Sequence, residues 1–165
     1  MRELVLVGFL AISLSSFSQC EIYNRLASDG SMLYYMDPTV LYWSSSKELQ
    51  GNIVSNKSTY FLGLQPIPFP AKPIGMQLND KLEVTLANQK KYLLDLYDIQ
   101  YLDDESIMQF LYVINKNDLP EFVNKQIIDI KINLGKEEGI RFYSITLHKK
   151  TLQEQLSCFL KEDKK

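Results

Sequence analysis

The sequence predicts an α+β chain that is mainly β: an antiparallel sheet or curved sandwich, a short inserted helix at about residues 118–125, and a C-terminal helix at about 149–161. Three observations carry this. Short runs rich in aromatic and β-branched residues recur along the chain and are separated by turn residues. Two of them, Leu82-Glu83-Val84-Thr85-Leu86 and Ile128 to Leu134, alternate apolar and polar at period two. Only the last segment has helical spacing, with Leu152, Leu156, Phe159 and Leu160 at i, i+4, i+7 and i+8.

Taken in order, the chain opens on an apolar run, Leu4 to Leu14, preceded by Arg2 and followed by Ser15, Ser16 and Ser18. Eleven residues or so are too few for a membrane-spanning helix. A positive start, a short apolar centre and a small-residue exit predict a signal peptide over residues 1–18. Residues 19–165 are then one globular domain. A cut after Ser18 leaves Gln19 first, and the segment resembles the signal peptides of Bacteroidota, in which glutamine often follows the cut. The competing exit makes Cys20 a lipidated first residue, although Phe17-Ser18-Gln19 departs from a lipobox. No second long apolar run follows, so the exported chain is expected to have no transmembrane span.

Residues 32–36 and 40–43 flank Asp37-Pro38-Thr39 and read as a hairpin. Residues 44–51 read as a polar loop, 55–58 as a turn, and 59–64 as a strand. Residues 65–73 carry four prolines and predict an extended connector rather than a central strand. Strands follow at 82–86 and within 90–102, with Asp103-Asp104-Glu105 in solvent. Residues 107–114 are apolar on both faces, as in a strand covered on both sides. Asp118-Leu119-Pro120-Glu121 has the form of a capping box, with proline in the first turn. The strand at 128–134 turns back through Gly135-Lys136-Glu137-Glu138-Gly139 into 140–147.

Composition narrows the function. The 165 residues are 45% apolar and 23% charged, with a net charge of −2, which excludes a disordered chain and a basic nucleic-acid binder. One histidine excludes sites needing two imidazoles, and two cysteines exclude a four-cysteine zinc site. The chain lacks a Gly-x-Ser-x-Gly elbow, a glycine-rich phosphate loop and the spaced acidic pattern of a calcium loop. His148 stands ten residues from Cys158, about 15 Å of rise on one helix, so it is poorly placed to activate that thiol. No catalytic, cofactor-binding or metal-binding residue is therefore assigned.

Two expectations remain for named residues. Cys20 and Cys158 are candidates for a disulfide, worth at most ~4–5 kcal/mol on the chain-entropy model. Ile67 and Phe69 in the proline-rich stretch, with Trp43, are candidates for contact with a protein or glycan partner; their alternative role is to cap the core of their own sheet. The expected function is an exported, non-enzymatic binding or structural module of a bacterial cell envelope. One alternative is a carrier of a small apolar ligand, because many strands before a terminal helix resemble a lipocalin. The chain departs from that family in lacking a Gly-x-Trp near the mature start and in placing a helix before its last hairpin. The other is a hydrolase working through two carboxylates about 5–9.5 Å apart.

Overall fold

The computed structural model describes residues 20–27, 29–70, 81–103, 105–135 and 139–163. Residues 1–19, which include the segment read as a signal peptide, Ser28, residues 71–80, Asp104, and residues 136–138 and 164–165 lie outside these. Among the described residues the strands are β1 (Tyr23–Leu26), β2 (Met32–Tyr35), β3 (Thr39–Trp43), β4 (Glu48–Ser55), β5 (Tyr60–Ile67), β6 (Lys81–Leu86), β7 (Lys91–Leu102), β8 (Ile107–Ile114), β9 (Ile127–Asn133) and β10 (Ile140–Ser144). The helices are α1 (Leu119–Asn124) and α2 (Thr151–Glu162). The mainly β, antiparallel architecture read from the sequence is the one observed.

The strands form a single antiparallel sheet in the order β1-β2-β4-β5-β8-β7-β6-β9-β10, with β3 also on β4. β7 joins its two halves. Residues 91–95 pair with β6, whereas Leu96 to Leu102 pair with β8, and the register shifts between Leu96 and Asp98. A bulge of this kind bends a strand and increases its twist, which lets one strand serve two differently oriented half-sheets. The sheet curls far enough that its margins touch. The amides of Thr146 and Leu147, just beyond β10, both donate to the Leu41 carbonyl of β3.

The concave side holds the main core. β6 supplies Leu82, Val84 and Leu86, and β9 supplies Ile130 and Ile132, as their alternation requires. α2 lays Leu152, Leu156 and Phe159 onto the same core. A smaller cluster, Leu33, Val54, Phe61 and Leu111, occupies the opposite face of the β4-β5-β8 half. β8 therefore buries residues on both sides, as its uniformly apolar sequence implies.

Four local expectations are corrected. The Asp37-Pro38 segment is not a hairpin: β2 pairs with Ser55 and Val54 of β4, and β3 pairs with Gly51 to Glu48 of the same strand. Residues 48–51, read as loop, are the first half of β4. They look polar because two of them make room for, or bond to, neighbours. A Cβ on Gly51 would lie 2.6 Å from Leu41 Cδ1, and the Gln50 amide donates to Glu48. The proline-rich stretch begins as strand, since β5 runs through Pro66 to Ile67 against β4. β8 accompanies β5 only as far as Leu64, so Pro66 lies on an edge segment, where a proline is tolerated. Finally, the Asp118 side chain makes no cap hydrogen bond; Asp118 is itself in helical conformation, and its carbonyl accepts from the Glu121 amide.

The break between β2 and β3 exposes backbone groups, and side-chain amides satisfy them from both faces. Asn52 Nδ2 donates to the Met36 carbonyl at 2.7 Å. From α2, Gln155 Oε1 accepts from the Ile53 amide at 2.7 Å and Gln155 Nε2 donates to the Asp37 carbonyl at 3.0 Å. Gln155 is thus a polar residue inside the apolar stripe for a structural reason. Replacing it, Gln155→Leu, orphans a buried donor and an acceptor and is expected to cost about 2–3 kcal/mol in urea denaturation. A loss under about 0.5 kcal/mol would show that water or a shifted backbone replaces the amide.

Candidate functional site

The strand register brings two of the three candidate contact residues together. Trp43 pairs with Glu48, and Glu48 pairs with Ile67, so Trp43, Glu48 and Ile67 form one row across β3, β4 and β5. Residues paired across antiparallel strands share a face. Leu49, next to Glu48, points into the core, so this row points outward. Trp43 is 65% exposed. Phe69 goes the other way and packs against the main core, which is the capping role allowed for it from sequence.

The row borders the seam where the sheet margins meet. Lys47, in the β3–β4 turn, donates to the Phe142 carbonyl of β10 at 2.6 Å. Its ammonium also lies over the rings of Tyr42 (5.4 Å) and Tyr143 (4.8 Å), a favourable cation–π arrangement. Arg141 Nη1 donates to the Pro68 carbonyl at 2.6 Å. Burial pushes the Tyr143 hydroxyl above the ordinary tyrosine value.

Beyond the seam lies the convex face of β10, β9, β6 and β7. One row reads Phe142–Lys131–Glu83–Leu93, each residue paired with the next. Phe142 and Leu93 are 52% and 56% exposed. Between them Lys91 donates to Glu83 at 2.8 Å and Lys131 lies 3.9 Å from the same carboxylate. The bond from Lys91, aided by the charges of Lys91 and Lys131, holds the Glu83 carboxyl below the ordinary carboxylate range. A group so stabilised as the anion is the opposite of a general acid.

A third polar feature spans the other half of the sheet. Arg25 Nη2 donates to Gln100 Oε1 and Gln109 Oε1 at 2.7 and 2.6 Å. Its guanidinium lies 4.6 Å from the centre of the Tyr35 ring. Gln109 Nε2 donates to Asn52 Oδ1 at 3.0 Å, and Gln100 donates to Asp98. Arg25 thus clamps the β1–β2 hairpin onto β7 and β8. Burial lowers its pKa, yet an arginine keeps its charge.

The cysteine candidates are bonded to each other: Cys20 and Cys158 form a disulfide, with Cα atoms 5.7 Å apart. His148 occupies the turn before α2 with φ of 44°, and its carbonyl accepts from the Thr151 amide. Among the described residues no three His, Cys, Asp or Glu gather into a set that could hold a metal, and no helix is long and apolar enough to cross a membrane.

Comparison with protein-family models, with curated proteins and with solved structures finds no match to the chain. Sequence reasoning singles out Trp43, Ile67, Phe69 and the cysteines. It missed the Phe142–Leu93 row and the Arg25 clamp, because both depend on which strands are neighbours. One signal was available: Ile140 and Phe142 alternate with Arg141 in a strand whose buried residue is Tyr143, so β10 carries apolar residues in both phases.

Proposed function

We propose that the chain is an exported, non-enzymatic binding module of a bacterial cell envelope, with the Trp43–Ile67 row as its contact surface. The observation that carries this is the outward row of Trp43 and Ile67 beside a hydrogen-bonded seam. A large aromatic side chain on a rigid strand loses little entropy on binding and is a common hot-spot residue. The disulfide supports export, because such bonds persist in oxidising compartments. It also occupies the Cys20 sulfur that a lipid thioether would need, which favours a released over a lipid-anchored form.

The alternatives draw no comparable support. A carrier needs a hollow interior, but the concave side is filled by the main core, and the void between α2 and the sheet measures about 10 Å3, room for about one water and not for a ligand. A carboxylate hydrolase needs two acids facing one cleft; on the convex face Glu83 and Asp95 are instead paired with lysines.

Co-sedimentation of the oxidised chain with purified, insoluble envelope tests the reading. The expected result is saturable binding, accompanied by a blue shift in the emission of Trp43, the single tryptophan. The double substitution Trp43→Ser, Ile67→Ser should weaken binding roughly tenfold or more while leaving the circular dichroism spectrum unchanged. Equal sedimentation of this variant, or none by the parent chain, would overturn the proposal.

A further inference from the structure

The convex face of β10-β9-β6-β7 is independent of the Trp43 row and has its own internal logic. Its central row, Phe142–Lys131–Glu83–Leu93, runs apolar, cationic, anionic, apolar. We infer that this face binds a second copy of the chain about a two-fold axis parallel to the strands, between β9 and β6. That rotation exchanges β10 with β7 and β9 with β6. Phe142 then meets the second copy's Leu93, and Lys131 meets the second copy's Glu83. Both contacts occur twice, as an isologous interface requires.

The flanking row obeys the same symmetry. Ser144, Asp129, Thr85 and Lys91 are paired in that order. The rotation sets Asp129 against a threonine and Lys91 against a serine, so no like charges oppose one another. At the far rim Ile140 meets the second copy's Asp95, whose charge Lys81 neutralises at 3.1 Å. Between the central row and the Ile140 rim, the side chains enclose a depression of about 180 Å3 lined by Glu83, Lys131, Leu93 and Ile140. Glu83 already sits between Lys91 and Lys131 of its own chain, and a third cation from the second copy extends an alternating cluster. Such clusters favour register and partner choice more than raw affinity.

The size of the face sets the expected strength. Four strands at ~4.8 Å spacing and three outward side chains along each cover roughly 14 by 14 Å between centres. That is below a standard interface, so the dimer should be weak, with a dissociation constant on the order of 100 µM.

Sedimentation equilibrium of the oxidised chain up to about 1 mM covers that range. Lys131→Glu and Glu83→Lys should each weaken self-association roughly tenfold or more, because each sets like charges face to face. Each also disturbs the pair within its own chain, so the deciding measurement is a mixture. Lys131→Glu chains present two anions where Glu83→Lys chains present two cations, and equal amounts should form mixed dimers. Native mass spectrometry with one variant labelled with nitrogen-15 detects them. Only contact between copies can be rescued by mixing. The pair Phe142→Ser and Leu93→Ser, at exposed positions, should dissociate the dimer without unfolding the chain. A parent chain that stays monomeric to about 1 mM, single charge variants that associate like the parent, or a mixture that yields no mixed dimers would each overturn the inference.

Discussion

Reducing the Cys20–Cys158 bridge should lower the unfolding free energy by about 2–5 kcal/mol. The two residues are 138 positions apart, so the bond constrains nearly the whole described chain in its unfolded state. In the folded state it ties the entry to β1, an edge strand whose backbone ladder is made with β2, to the buried flank of α2. The check is urea denaturation with and without a thiol reductant, repeated on the double variant Cys20→Ser, Cys158→Ser. Both should shift the midpoint by the same amount. A midpoint indifferent to reductant would mean that the bond does not form, and it would reopen lipidation at Cys20.

The second large effect is expected at Gly63. A Cβ there would overlap Asn52 Oδ1 and lie 2.9 Å from Gln109 Nε2. Those two atoms hydrogen-bond to each other across the glycine. They are the middle link of a buried chain of amides running from the Met36 carbonyl to Arg25. Gly63→Val should therefore separate Asn52 from Gln109 and cost about 3 kcal/mol or more, combining overpacking with unsatisfied polar groups. Gly51→Ala supplies the contrast, because its obstacle is the flexible end of Leu41 rather than a paired amide. Thermal denaturation should rank Gly63→Ala well below Gly51→Ala in stability. The reverse order would remove the amide chain as a source of stability.

These two sites show what a linear reading reaches. β6 and β9 were legible because one of their faces meets solvent and the other meets core, so composition alternates with the pleat. β8 was legible because both its faces are covered. β4 was not, since its Gly51 answers to Leu41 of β3 and its Asn52 to Gln109 of β8, partners that only the strand pairing reveals. The break at Met36 to Pro38 was misread as a hairpin for the same reason: proline marks a change of direction but not which strand receives the chain afterwards. Of the candidate surface, Trp43 and Ile67 stood out by residue type, yet their shared row is a property of register. The charge order Phe142–Lys131–Glu83–Leu93 draws one residue from each of four strands, so no window of sequence contains it.

The Gln155 amide has a consequence for how the molecule can be watched. A proton on the Ile53 nitrogen of β4 is held by a side chain 102 residues away on α2. Its exchange with deuterated solvent thus registers whether the terminal helix is seated, even while the rest of that strand remains intact. One backbone resonance becomes a gauge of helix docking, readable without a ligand.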